Sequence, residues 1–141
     1  MKPQLLLAAL ALAMVGFTAP APTSAVPTKR GAVRLYTLDC GHLDLDDMGL
    51  FSAGHAGERG QMAVPCYLVR DGDRWLLWDT GLGDGLAAFP QGKHIMGGQW
   101  TVQHRLVSQL AELGLKPGDI AFVGLSHLHA DHSGNVGLFT R

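Results

Sequence analysis

Residues 33–38 partly alternate apolar and polar positions and are rich in strand formers, which predicts a first strand ending near Cys40. Residues 41–61 hold five glycines and scattered charge without any period, the mark of one long loop. Residues 64–70 predict a second strand, Asp71-Gly72-Asp73 a tight turn, and Trp75-Leu76-Leu77-Trp78 a third strand, so the pair forms a hairpin. The unbroken apolar run 75–78 predicts burial on both faces, in a sheet covered by other layers. Residues 81–98 are again irregular and glycine-rich. Across 101–113, Val102, Leu106, Val107, Leu110 and Leu113 fall at helical spacing, while Gln103, His104, Arg105, Gln109 and Glu112 face away. Gly114 caps that helix and Pro117-Gly118 closes the turn. Residues 120–125 predict a buried strand, and a histidine cluster begins where it stops. The order β, β-hairpin, α, β, then a ligand-rich loop at a strand's carboxyl end, defines a layered α/β class that places its site at that end.

The chain has 141 residues, with 11 Lys plus Arg against 12 Asp plus Glu, enough for one globular domain at most. It has no basic stripe and its few aromatics are not interleaved with Lys or Arg, which argues against a nucleic-acid partner. The first segment differs in character. Met1-Lys2 is a positive start, the apolar run 5–17 is shorter than the ~20 residues a spanning helix needs, and small residues lead to Thr23-Ser24-Ala25. This predicts a signal peptide over residues 1–25, a linker over 26–32 and a domain over 33–141. A secreted or periplasmic protein with no membrane contact after cleavage follows. Export permits a disulfide between the two cysteines, Cys40 and Cys66, but two buried free thiols fit their apolar runs as well.

The chemistry concentrates in Ser126-His127-Leu128-His129-Ala130-Asp131-His132. His127 and His129 are two apart, so in an extended segment their side chains leave one face and can converge on one ion. Asp131 and His132 follow where the chain must turn through Ser133-Gly134, and can face a second ion close to the first, so that two metals share a water. A solvated histidine-rich loop is the bland alternative, and H-x-H-x-D-H directly after a buried strand argues against it. Imidazole with carboxylate suits Zn2+, although iron and manganese accept the same donors. Water held by two such ions loses a proton near neutral pH and becomes a nucleophile.

Residues 125–135, Leu-Ser-His-Leu-His-Ala-Asp-His-Ser-Gly-Asn, resemble the signature loop of the metallo-β-lactamase superfamily, and Leu77-Trp78-Asp79-Thr80-Gly81 resembles that fold's upstream strand-end motif. The run 33–139 is similar to the N-terminal half of the branch that includes N-acyl homoserine lactonases. The resemblance implies an αββα fold, two Zn2+ ions and a small-molecule substrate, with a lactone first. It also implies that His127 and His129 bind one metal while Asp131 and His132 bind the other, with Asp131 the candidate catalytic residue. Asp79 is implied as a carboxylate that orients a metal-bound histidine, its alternative role being a strand-end turn cap with Thr80 and Gly81. Other esters, thioesters or β-lactams are alternative substrates. A di-iron oxidoreductase would carry a carboxylate in place of His129.

Family members draw further ligands from the second half of the fold, so the expectation here is roughly the N-terminal half, with one sheet face uncovered and activity in doubt. An inactive or partly metal-binding chain is therefore the alternative function. His42 and His55, with Asp44, Asp46 and Asp47, read as a solvated loop, His104 as helix surface, and His94 as a loop residue without a ligand partner. Gly81-Leu82-Gly83-Asp84-Gly85 is a weak phosphate-cradle pattern that lacks the full G-x-G-x-x-G.

Overall fold

A computed structural model describes residues 32–140, so the expected signal peptide over 1–25 and nearly all of the expected linker over 26–32 lie outside the described residues. Strands β1 (Arg34–Leu45), β2 (Gly60–Asp71), β3 (Arg74–Trp78), β4 (Lys93–Ile95), β5 (Gly98–Thr101) and β6 (Phe122–Gly124) form one sheet in the order β4-β5-β1-β2-β3-β6. Neighbours are antiparallel except β3 and β6, which run parallel. Helix α1 (Leu106–Glu112) lies between β5 and β6 in sequence, and the four-residue α2 (Ala130–Ser133) follows β6. No described helix is long and apolar enough to cross a membrane.

The β2–β3 hairpin forms where the sequence predicts it, with Asp71 paired to Arg74 across Gly72-Asp73 and Gly72 at φ 61°. Other boundaries differ. The first strand does not stop near Cys40 but continues to Leu45, because Gly41, at φ 137°, sits in a bulge between Asp39 and His42 rather than at a strand end. Beyond the bulge Leu43 and Leu45 turn into the core, and the same residues pair with β5 on the other edge. The supposed loop over 41–61 therefore begins as strand, and its remainder contains the 3-10 turns Met48–Leu50 and Ala53–His55. Within 81–98, the segment Asp84–Ala88 is a 3-10 turn, and β4 and β5 form a second hairpin through Met96-Gly97. Both of these residues have positive φ, 48° and 79°, the conformation a two-residue hairpin favours. The helix begins at Leu106 instead of Thr101, since Thr101 is held in the sheet opposite His42.

The core lies on one face of the sheet. Leu38, Leu68 and Leu77 point into it from adjacent strands, and Leu106 and Leu110 of α1 cover them. Fully burying such a side chain contributes about 1.5–3 kcal/mol. The strand β3 is not buried on both faces, and β6 is not wholly buried either. In register across the opposite face lie Leu35, Val69, Leu76 and Phe122, then Tyr67 and Trp78. Leu35 is 63% exposed, Trp78 44% and Phe122 54%, because no described element packs over them. The expected uncovered sheet face is thus present among the described residues.

Cys40 and Cys66 form a disulfide and both are buried. It joins the β1 bulge to the neighbouring strand and closes a stretch with a sequence separation of 26. A loop of this length gives about 3.5 kcal/mol in the chain-entropy picture. The double substitution Cys40→Ala/Cys66→Ala should lower the unfolding free energy by about that amount. The midpoint of urea unfolding measures it, and an unchanged midpoint would refute the stabilising role.

Candidate metal centre

The site is built where the only parallel strand pair among the described residues ends. Trp78 pairs with Gly124, and the Asp79 backbone N–H donates to the Gly124 carbonyl at 2.8 Å, so the chains leaving β3 and β6 start side by side. Carboxyl ends of adjacent parallel strands are where layered α/β folds put ligands. Asp79 itself adopts φ 59°, a left-handed conformation that Asp tolerates better than most residues. This turns its side chain beneath the loop that follows β6.

Asp79 is buried, at 6% exposure, and its carboxylate is enclosed by donors. The Ser126 backbone N–H donates to Oδ1 at 2.7 Å, the Ser126 hydroxyl lies 3.1 and 3.0 Å from the two oxygens, and His132 Nδ1 lies 2.8 Å from Oδ2. Burial acts to raise the Asp79 carboxyl. The Ser126 N–H, the His132 hydrogen bond, the Ser126 hydroxyl and the charge of His132 outweigh it, and hold the group below the usual carboxylate range. An ionised Asp79 can only accept, so in the neutral ring of His132 the proton sits on Nδ1 and the Nε2 lone pair faces outward. The single Ser126 proton likewise goes to Asp79, so its oxygen can accept from His127 Nδ1, 3.2 Å away.

The outward nitrogens meet other donors. His132 Nε2 lies 3.2 Å from Asp131 Oδ2, and one ligand atom each from His127, Asp131 and His132 falls within a 4.8 Å span. Mixed imidazole and carboxylate donors at that spacing fit a divalent ion of the borderline kind. His129 is brought alongside rather than into this trio: its ring stands edge-on to that of His127, with centroids 4.4 Å apart. All four sequence-predicted ligands therefore cluster, His127 and His129 exposed, Asp131 and His132 half-buried on α2.

Sequence reasoning singled out Asp79 but missed the residues that fasten the loop from behind. The Thr80 N–H and hydroxyl both donate to the His132 carbonyl, at 2.7 and 3.0 Å. Asn135, buried, donates to the Thr80 carbonyl at 2.8 Å, and its Oδ1 accepts from the Asp84 N–H at 2.8 Å. Gly134 permits this closeness, since a Cβ there would lie 2.4 Å from the Leu82 carbonyl carbon. The signal was available: small and amide residues flank the histidines on both sides, at Ser126 and at Gly134-Asn135.

The remaining candidates lie elsewhere. His42 stands 3.6 Å from Asp39, His55 pairs with Glu58 at 3.0 Å, and His104, ahead of the helix rather than on it, lies 3.1 Å from Asp39. His94 does have a partner, Asp46, at 2.6 Å. Asp44 accepts from Gln61, and Asp47 accepts from the Gly49 and Gly57 N–H groups. The phosphate-cradle reading of 81–85 meets a direct obstacle, because the Asp84 carboxylate already occupies the start of α1, accepting from the Leu106 and Val107 N–H groups at 2.7 and 3.1 Å.

Beside His129 and Asp131 opens a cavity of about 210 Å3, walled by Leu43, Leu45, Leu50, Phe51, Met96 and Trp100. Two of the four candidate ligands, His129 and Asp131, thus border an apolar recess.

A sheet with this ligand loop at its parallel strand ends defines a metallo-β-lactamase fold, and residues 59–141 match the sequence pattern of the metallo-beta-lactamase superfamily. The chain belongs to that superfamily. It is similar to the N-acyl homoserine lactonase of Bacillus thuringiensis, at 32% identity over 115 residues, 76% of this chain and 45% of the relative. A solved N-acyl homoserine lactone hydrolase, with the product N-hexanoyl-L-homoserine at its catalytic metal center, superposes at a TM-score of 0.62 and 32% identity, covering 76% of this chain and 45% of that one. AidC, a dizinc quorum-quenching lactonase, superposes at 0.51 and 25% identity, covering 77% of this chain and 37% of its own. The chain spans about 45% of the length of the curated relatives it matches.

Replacing Asp79 by Asn keeps the shape but removes the anion that fixes the His132 tautomer. We expect Zn2+ affinity to fall by about 10–100-fold, as for other groups behind a ligating histidine. Competition against a chromogenic chelator measures it, with circular dichroism to verify the fold; unchanged affinity would detach Asp79 from metal binding.

Proposed function

We propose that this chain provides the metal-binding part of a zinc-dependent hydrolase that opens a lactone ring with a metal-activated water. The observation that carries the proposal is the convergence of His127, Asp131 and His132 beside an apolar recess, in a chain similar to N-acyl homoserine lactonases. In this reading His127 and His129 serve one ion, Asp131 and His132 the other, and Asp131 also takes part in catalysis. Bound Zn2+ would supply Lewis acidity and lower the pKa of a water toward neutrality. The chain's own contribution is orientation. Asp79 holds His132 with Nε2 free, Ser126 does the same for His127, and the wall of Leu43, Leu45, Phe51 and Trp100 receives an apolar tail on a small substrate.

A second reading, metal binding without turnover, is favoured by one observation: the described residues bring three ligands within reach of one another, whereas two ions need more. Zinc stoichiometry and hydrolysis on the same sample separate the two. Two tightly held ions per chain, with ring opening of acyl homoserine lactones followed by product NMR, support the hydrolase. One ion and no ring opening would favour the second reading. For the hydrolase, His132→Ala should abolish turnover, and Phe51→Ala should raise KM for long-chain lactones more than for short-chain ones.

We also propose export, since an oxidising compartment suits the buried disulfide. N-terminal sequencing of the protein recovered outside the cytoplasm should begin at Val26, and a retained Met1 would sink the leader.

A further inference from the structure

The metal loop is held from two sides, and only one of them involves metal-facing atoms. Asp79 and Ser126 hold the His132 ring, whereas the His132 carbonyl is held by Thr80, which is fully buried. Thr80 is in turn set by Asn135: the Asn135 N–H donates to the Thr80 hydroxyl oxygen at 3.2 Å, and Asn135 Nδ2 donates to the Thr80 carbonyl at 2.8 Å. Asn135 Nδ2 also donates to Asp84 Oδ1 at 3.2 Å while its Oδ1 accepts from the Asp84 N–H, a reciprocal pair that uses its whole amide. Asp84 then accepts the first free N–H groups of α1, those of Leu106 and Val107, tying the chain of bonds to the helix that covers the core.

We infer that Asn135 and Asp84 are positioning residues for the Asp131–His132 half of the metal site, acting through Thr80 and the His132 carbonyl. The physical reason is the shape of α2. It has four residues and no side-chain cap at its start, so too little of its own hydrogen bonding exists to fix the direction in which Asp131 and His132 leave it. Direction must come from outside. A buried amide whose donors and acceptor are all engaged supplies it, because any displacement of Thr80 leaves a polar group unpaired away from water. Asp84 fixes the other end, since moving it would uncap α1.

The metal arm of the test rests on the function proposed above; the metal-free arm does not. In the full chain, Asn135→Ala should shift the His132 ring resonances of the metal-free protein and speed amide exchange at Thr80, whose N–H donates to the His132 carbonyl. It should also weaken Zn2+ binding at the proposed Asp131–His132 position by about 10–100-fold. Asp84→Asn, which keeps an acceptor for the Leu106 N–H, should act in the same direction with smaller effect, and decides the matter if Asn135→Ala does not fold. Leu110→Ala is the control, a fully buried core change on α1 away from the loop. Unchanged His132 resonances in both polar variants would overturn the inference, and so would an equal shift in Leu110→Ala. Shifted resonances in the polar variants, with a wild-type chain that binds no zinc, would sustain the positioning role while removing the hydrolase reading.

Discussion

One buried carboxylate organises the site. Asp79 leaves β3 in a left-handed turn and accepts from the backbone of Ser126, the hydroxyl of Ser126 and the ring of His132, which join it from the segment after β6. A buried anion is tolerated only when its lone pairs are filled, and these donors fill them. The same contacts decide which nitrogen of His132 carries the proton. The side chain that makes Asp79 affordable in the interior is therefore the one it prepares to bind a metal.

Backbone proximity makes that arrangement possible. Gly81, at φ 70°, rests against Cys40, where a Cβ would come within 2.4 Å of the cysteine's own, and Gly134 rests against the 81–83 backbone on the opposite side. Three segments distant in sequence thus stack with no room for side chains. The Cys40–Cys66 bridge underlies the stack and fixes the β1 bulge to β2, so the disulfide, the two glycines and Asp79 belong to one packed unit. Stability and site geometry are coupled here, which is why conservative changes several residues from the ligands are expected to reach them.

The two faces of the sheet have different fates. One carries Leu38, Leu68 and Leu77 beneath α1 and forms the core. The other presents Leu35, Tyr67, Trp78 and Phe122 to solvent among the described residues. Apolar strand residues on an open face are what a two-sheet sandwich leaves when one of its sheets is considered alone. The chain spans about 45% of its matched relatives, and the open face agrees with that share.

Much of this was legible in the residues. Apolar runs on either side of an Asp-Gly turn located the β2–β3 hairpin, helical spacing located α1 to within one turn of its end, and H-x-H-x-D-H located the candidate ligands, because local pattern and residue chemistry are written along the chain. Long-range consequences were not. Gly41 looks like a strand end in sequence and is a bulge, because the neighbouring strands on both sides continue the pairing. Thr101 has helical spacing but belongs to β5, since the sheet outcompetes one extra helical turn. The pairing of Cys40 with Cys66, the clamp of Asp79 on His132, and the path from Asp84 through Asn135 to Thr80 all join residues far apart in sequence. Sequence determined which groups could bind a metal; only the fold decided which lone pairs face it, because that depends on donors supplied from other strands.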